Sequence, residues 1–183
     1  GKIMMLTMGI DIGGREDDAR LDYEIIGWSE TGSSYSIDHG SIGTYQPRET
    51  SHVDRLRMPL DITKKDNVWE FLTVFARKKF KIDNGGEMPI TAIAIDTGYK
   101  SSLVFDFVNT WNKSYKGLPF ILPIKGHVGT TKLKLNADVR MYQNSKEKPG
   151  KLYITMGDAI KNKIADSMSK NWNTSDEKQP LEF

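Results

Sequence analysis

The sequence predicts an α/β fold with a mixed sheet, in which an antiparallel meander of three strands is followed by α/β units. Two observations carry this prediction. Three strand-like segments open the chain and are separated only by short polar connections. Segments with a helical period then alternate with apolar runs of strand length. The 183 residues suit one domain, at roughly 100–200 residues per domain. We therefore expect a single domain over 1–183, loosely ordered over 170–183.

The first three strands are predicted at 3–12, 21–29 and 34–39. The first of them, IMMLTMGIDI, is a nearly continuous apolar run and indicates a buried strand. The second carries aromatic and β-branched residues, which favour strands. A polar turn at 13–20 and a tight turn at 31–34 join the three segments. Because these connections are short, consecutive strands should pair antiparallel.

The α/β units begin with a helix predicted over 66–80, with Asp66 as its N-cap and a basic C-terminal end. The run ITAIAID at 90–96 is apolar almost throughout, as is typical of a central parallel strand. A second helix is predicted at 101–114, and a fifth short strand at 119–124.

The rest of the chain is predicted as a long polar excursion over 126–150 and a final helix. A hairpin with strands at 139–143 and 151–155 is associated with the excursion. The final helix begins near Asp158, and three apolar residues spaced i, i+4, i+8 form its buried face: Ile160, Ile164 and Met168. The complete element order is that of a ribonuclease H-like fold.

The composition excludes several kinds of site. The chain has no cysteine, which excludes a disulfide scaffold, a thiol nucleophile and thiolate metal sites. Its three histidines are well separated, so a catalytic metal would be held mainly by carboxylates, which suits Mg²⁺ or Mn²⁺. The net charge of +2 does not predict polyanion binding by the chain as a whole. Neither a membrane-spanning run nor a signal peptide is recognisable, so we expect a cytoplasmic location.

Three aspartates stand where predicted elements end or begin. Asp11 ends the first strand, Asp96 ends the fourth, and Asp158 opens the last helix. In this element order the first and fourth strands are neighbours, so the three carboxylates can converge. Such a cluster is unfavourable unless a divalent cation compensates its charge. Two Mg²⁺ or Mn²⁺ ions held there would support phosphodiester hydrolysis.

Each aspartate also has a simpler structural interpretation. An aspartate at a strand end close before a glycine is often a turn residue, which applies to Asp11 and Asp96. Asp158, taken alone, fits an N-cap. The joint pattern of three acids at ends that should meet favours a functional site. Asp38 is an additional candidate for the shell around the metal ions.

Basic and aromatic residues near these aspartates are candidates for contacts with a phosphate backbone. Lys125 ends the fifth strand and is either a catalytic cation that neutralises a phosphate near the metal ions or a solvated strand-end lysine. Further candidates for DNA binding follow Asp96 directly or lie in the polar excursion: Tyr99, Lys100, Lys132, Lys134 and Arg140.

Six segments of the chain occur in the order typical of one known family: LTMGIDIGG (6–14), LDYEIIGWSE (21–30), SYSIDHGSIG (34–43), AIAIDTGYKSSLVFDF (92–107), FILPIKGH (120–127) and YITMGDAIKNKI (153–164). Together they cover most of the chain. In these segments the sequence resembles the C-terminal nuclease domain of the large terminase subunit of tailed bacteriophages, closest to the lambda-like branch.

The resemblance implies a ribonuclease H-like, metal-dependent endonuclease that cuts concatemeric viral DNA during genome packaging. It also implies that Asp11, Asp96 and Asp158 match the acidic positions of the family. The implied partners are double-stranded DNA, the ATPase domain of the same polypeptide, the small terminase subunit and the portal, with no membrane and with the cytoplasm of the infected bacterium as the location. The family's packaging ATPase is not matched, since no G-x-x-x-x-G-K-[ST] phosphate loop occurs.

Three other functions stay open on the sequence alone. A junction resolvase or a ribonuclease H would share the fold and the acids and differ in substrate. The segments GIDIGG and AIDTG also resemble the phosphate-binding turns of actin-like sugar kinases, which need two copies of the core and a Gly-rich adenosine-binding segment. A non-catalytic DNA-binding module would be favoured if the three aspartates lay apart.

Overall fold

The computed structural model describes most of a central sheet and two helices that pack against it. The described residues are 2–15, 18–42, 44–45, 58–59, 61–63, 68–83, 85–117, 119–126, 138–142, 150–155 and 162. Within these ranges, no helix has both the length and the apolar character needed to cross a membrane.

The predicted meander is present. It consists of β1 (Ile3–Arg15), β2 (Asp18–Ser29) and β3 (Ser34–Ile42). A separate pair of two-residue strands follows, formed by β4 (Thr44–Tyr45) and β5 (Met58–Pro59). Both β1 and β3 continue past their predicted ends, because β1 pairs with β2 as far as the hairpin tip at Arg15 and Asp18, and β3 pairs with β2 as far as Ile42 and Leu21.

The α/β part follows the predicted alternation of helices and strands. Its elements are α1 (Val68–Ala76), β6 (Lys79–Lys81), β7 (Glu87–Asp96), α2 (Ser101–Ser114), β8 (Phe120–Gly126), β9 (Asp138–Tyr142) and β10 (Gly150–Thr155). The predicted N-cap Asp66 and the predicted final helix, apart from residue 162, lie outside the described residues.

The described strands form a mixed sheet in the order β3-β2-β1-β7-β8-β10-β9, with β6 added beside β7. The pairs within the meander are antiparallel, as is β9 with β10. The pairs β1–β7, β7–β8 and β8–β10 are parallel. An antiparallel meander at one edge that continues into parallel strands is the predicted fold class, and it is compatible with a ribonuclease H-like fold.

The first helix ends earlier than predicted. The N–H groups of Arg77 and Lys78 bond to the carbonyls of Val74 and Phe75 at 3.2 and 3.0 Å, three residues back, which closes α1 after Ala76. Lys79 and Lys81, which the sequence assigned to the basic end of this helix, belong instead to β6, which pairs antiparallel with the start of β7. The helix prediction was wrong here because a local pattern cannot show that a distant strand is available for pairing.

The core lies on one face of the sheet, beneath α1 and α2. Alternate residues of β1 and β7 point into it, as strand geometry requires. Its buried side chains include Leu6, Met8, Ile10, Ile12, Leu21, Ile25, Leu72, Ile90, Ile93, Ile95, Val104, Val108, Trp111 and Ile121. We call the opposite side of the sheet the open face, because neither described helix packs against it; the intervening residues Thr7, Gly9 and Asp11 of β1 belong to it.

Leu72 tests the packing of α1 against the sheet. This side chain is fully buried, so Leu72→Ala should lower the free energy of unfolding by about 2–5 kcal/mol. The matched control is Val74→Ala on the same helix, where the side chain is 66% exposed and a change within about 0.5 kcal/mol is expected. Urea unfolding measures both variants. Equal losses in the two variants would contradict this orientation of α1.

Candidate active site

Asp11 and Asp96 lie at adjacent positions on the open face. The strands β1 and β7 are parallel neighbours, and their pairing runs as far as Ile10 and Ile95. Asp11 and Asp96 are the next residues of the two strands. Because Ile10 and Ile95 are buried in the core and strand side chains alternate, both carboxylates belong to the opposite side. Asp11 is exposed, and Asp96 is half-buried. The structure therefore brings together two of the three singled-out aspartates.

The turn after Asp96 orients its carboxylate. The N–H of Gly98 donates to Asp96 Oδ2 over 2.9 Å. Thr97, between them, is buried and bonds twice to the carbonyl of Ile124 in β8, through its N–H at 2.8 Å and through Oγ1 at 2.9 Å. A Cβ atom at position 98 would lie only 2.7 Å from Asp96 Oδ2. This orientation of the carboxylate therefore needs a glycine at 98.

A further carboxylate, that of Asp22 in β2, lies beside Asp11. We call Asp96, Asp11 and Asp22 together the carboxylate row. Asp22 is the antiparallel partner of Asp11, so the two side chains share a face. Arg20 Nε donates to Asp22 Oδ2 at 2.8 Å, and Ser41 Oγ donates to Oδ1 at 2.6 Å. The hydrogen bond from Arg20 and, after it, the one from Ser41 lower the pKa of Asp22. Asp22 is therefore held ionised beside Asp11.

The predicted site residues did not include Asp22, Arg20 or Ser41. A signal for the first two lies in the hairpin formed by β1 and β2. Paired residues of this hairpin are equidistant from its tip, where Arg15 pairs with Asp18. Once a tight hairpin is assumed, Asp11 has to meet Asp22. Ser41 could be found only from the β2–β3 register, which contains an irregularity between residues 25 and 26.

The third predicted aspartate, Asp158, lies outside the described residues. The last described strand, β10, ends at Thr155 beside Gly126 of β8. Within the described part of the chain, no three His, Cys, Asp or Glu side chains are grouped so that they could hold a metal ion. The described portion of the predicted ligand set therefore consists of Asp11 and Asp96.

Comparison with family models decides the family of the chain. The model for the endonuclease domain of the terminase large subunit gpA matches residues 1–180. The chain belongs to this family. The resemblance drawn from the six segments is thus confirmed. No curated protein and no solved structure matches the chain. Membership in the gpA endonuclease family means a nuclease role in packaging, with DNA as the substrate, and it decides against an actin-like sugar kinase.

Lys125 of this gpA endonuclease domain is on the other side of the sheet from the carboxylates. In β8, Ile121 and Pro123 are buried toward the helices. Because side chains alternate along a strand, Lys125, two residues after Pro123, belongs to the same side of the sheet. Its neighbour Ile124 is the residue that pairs with Asp96. The strand register therefore does not support a role for Lys125 beside the metal ligands, and that role stays a prediction.

Asp38 was the additional candidate for the metal shell, and its contacts contradict that assignment. Its Oδ2 accepts a hydrogen bond from Lys78 Nζ at 2.8 Å, at the end of α1 on the helix side of the sheet. It also lies beside Tyr23, whose pKa is raised first by burial and then by the negative charge of Asp38. The physical reason is the β2–β3 register, which pairs Asp38 with the buried residue Ile25 and so turns it away from Asp11.

Of the five candidates for DNA contact, Tyr99 and Lys100 directly follow the Asp96 turn. Lys100 is the N-cap of α2, in a left-handed conformation with φ 48° and ψ 47°, and its Nζ lies 5.9 Å from the Tyr99 ring centroid. Arg140 lies in β9 and pairs with Leu152 of β10, at the far edge of the sheet. Lys132 and Lys134 lie outside the described residues. DNA contact by these residues stays a prediction.

The backbone of Lys100 leads to a prediction about stability. A left-handed conformation costs a non-glycine residue roughly 1 kcal/mol, and the Lys100 side chain does not cap α2. Lys100→Gly should therefore raise the free energy of unfolding by about 0.5–1 kcal/mol. Lys113→Gly, in the last turn of the same helix, should instead lower it by about 1 kcal/mol. Denaturant unfolding measures both, and a loss of stability in Lys100→Gly would contradict the left-handed assignment.

Proposed function

We propose that the chain is a Mg²⁺- or Mn²⁺-dependent endodeoxyribonuclease that hydrolyses phosphodiester bonds of concatemeric viral DNA by a two-metal mechanism. Asp11 and Asp96 are the proposed ligands in the described structure, with Asp158 as the third. One observation carries the proposal: Asp11 and Asp96 follow the last paired residues of adjacent parallel strands, on the same open face. Carboxylates at neighbouring positions on one face of a sheet repel each other unless a cation compensates their charge.

The donor set fits a small, hard divalent cation. Mg²⁺ is commonly held by one or two carboxylates together with water and substrate phosphate, which matches an exposed Asp11 next to a half-buried Asp96. When bound, two such ions would activate a water molecule as the nucleophile and stabilise the leaving oxygen.

The surrounding residues prepare the pair electrostatically and geometrically. The Gly98 N–H holds Asp96 in one orientation, so little reorganisation is needed when a ligand arrives. Asp22, held ionised by Arg20 and Ser41, adds a negative charge next to Asp11. This row attracts a cation and repels a DNA phosphate until that charge is neutralised. The cation is therefore needed for the scissile phosphate to approach, as well as for the hydrolysis itself.

We also propose that the domain cuts double-stranded DNA together with the packaging ATPase domain of the same polypeptide, the small terminase subunit and the portal. The proposed location is the cytoplasm of the infected bacterium. Membership in the gpA endonuclease family supports this assignment, since packaging is the process in which that family acts.

Plasmid cleavage by the purified chain, with Mg²⁺, Mn²⁺ or EDTA, tests the proposal. Nicked and linear products should form with either metal and not with EDTA. Titration calorimetry with Mn²⁺ alone measures the site independently of activity. Mn²⁺ binding without cleavage would support the metal site and indicate that cutting requires the ATPase domain. Absence of both cleavage and Mn²⁺ binding would overturn the proposal.

A further inference from the structure

Arg20 stands next to the carboxylate row on the same side of the sheet. It pairs with Gly13 across the β1–β2 hairpin, two positions along from the pair formed by Asp11 and Asp22. Because side chains alternate along a strand, Arg20 shares the open face with Asp22. Diagonal neighbours in an antiparallel pair are roughly 7–8 Å apart, so the base of the Arg20 side chain is this close to Asp11.

Contacts within the meander hold this guanidinium in place. A Cβ atom at Gly13 would lie 3.4 Å from Arg20 Nε and 3.5 Å from both Cζ and Nη2, so the guanidinium lies over Gly13 at about van der Waals distance. Asp22 Oδ2 accepts from Arg20 Nε at 2.8 Å, and Ser41 Oγ fixes the other carboxylate oxygen at 2.6 Å. The side chain of Arg20 is nevertheless 56% exposed.

We propose that Arg20 binds a backbone phosphate of the DNA, next to the bond on which Asp11 and Asp96 act. A guanidinium presents five donors in a planar fork that matches phosphate oxygens, and more than half of the Arg20 side chain is exposed to solvent. A net charge of only +2 gives weak general attraction for DNA, and the acidic row repels it. A fixed cation beside the row lowers that local repulsion. The inference rests on the proposed function, because it takes the open face as the DNA-binding face.

Binding of a fluorescent DNA duplex in EDTA tests this role without metal or cleavage. Arg20→Gln should weaken binding about tenfold, the loss expected for a charged hydrogen bond. It should also reduce the slope of log affinity against log salt by about 1, as for one lost phosphate contact. Lys78→Gln is the charge-matched control, since Lys78 contacts Asp38 on the helix side and its loss should leave both quantities unchanged.

A second variant separates phosphate binding from a structural role of the ion pair. Asp22→Asn breaks the pair with Arg20 and keeps the cation, so DNA binding should be equal or tighter. If Arg20 only stabilised the hairpin, Asp22→Asn would weaken binding as much as Arg20→Gln does, and this result would overturn the inference. Equal affinity and salt slope in Arg20→Gln and Lys78→Gln would overturn it too, as would no binding by the unmodified chain at low salt.

The proposed function and this inference can fail separately. If the unmodified chain shows neither Mn²⁺ binding nor cleavage, only the proposed roles of Asp11 and Asp96 fail. The duplex-binding assay that tests Arg20 contains no metal and is independent of this result. Normal metal-dependent cleavage by the unmodified chain, combined with unchanged duplex binding in Arg20→Gln, would remove Arg20 from the site and leave the nuclease proposal in place.

Discussion

Asp11→Asn should abolish metal-dependent plasmid cleavage and leave the fold intact. A bound metal contributes several kcal/mol of transition-state stabilisation, so the loss should be about 10³-fold or more in rate. Asparagine keeps the size of the side chain and removes its charge, and position 11 is exposed, so packing is unaffected. Initial rates of nicking under Mn²⁺ measure the effect. Asp106→Asn, an exposed carboxylate on α2, is the matched control and should cut normally.

The same variant should be slightly more stable than the unmodified chain when metal is removed. Asp11 has Asp22 directly opposite, and like charges at such positions destabilise a sheet by about 0.2–1 kcal/mol. Thermal unfolding in EDTA detects this gain, and saturating Mn²⁺ should reverse the order by stabilising only the unmodified chain. Full cleavage activity in Asp11→Asn, or equal stabilisation of both proteins by Mn²⁺, would contradict the assignment of Asp11 as a ligand.

Gly98→Ala should lower the cleavage rate by about 10²-fold, the cost expected for displacing a reacting group by about 1 Å. The new Cβ would lie 2.7 Å from Asp96 Oδ2, and the short carboxylate is the group that can move away. Gly98 is exposed and is not among the glycines with positive φ, so alanine suits the backbone and the fold should be retained.

A matched glycine separates this effect from a general effect of added bulk. Gly126 ends β8 at the same end of the sheet, and a Cβ there would meet nothing within 4 Å. Gly126→Ala should therefore cut at the normal rate. The Mn²⁺ titration should show weaker binding in Gly98→Ala alone. An unchanged circular dichroism spectrum of this variant would exclude a loss of folding as the cause. Equal metal affinity in the two variants would show that the Gly98 turn does not position Asp96.

Much of the fold was predictable because its signals are local. The apolar runs at 3–12 and 90–96 mark β1 and β7 by their own residues, and the helical period of 101–114 marks α2. The wrong predictions lie where the structure of a segment depends on pairing with a strand distant in the sequence. The segment after Ala76 reads as helix by composition, yet Lys79–Lys81 forms β6, because β7 supplies an edge with which it pairs.

The candidate site divides in the same way. Asp11 and Asp96 could be selected from the sequence, because each ends an apolar run and the element order makes their strands neighbours. A tight β1–β2 hairpin places Asp22 opposite Asp11 with Arg20 beside it, but the roles of Asp22, Arg20 and Lys125 could not be assigned from the sequence. They depend on the register between strands, and a shift of one residue would move every side chain of a strand to the other face.

The sequence by itself therefore determined most of the strands and helices, the family, and the two strand-end carboxylates. Only the tertiary structure decided what surrounds those carboxylates: Arg20 and Asp22 on their side of the sheet, Asp38 on the other, and a turn at Gly98 that holds Asp96. The reason is physical. Hydrophobic periodicity is written along the chain, whereas register and turn geometry arise when strands pair, and these set the direction of each polar side chain.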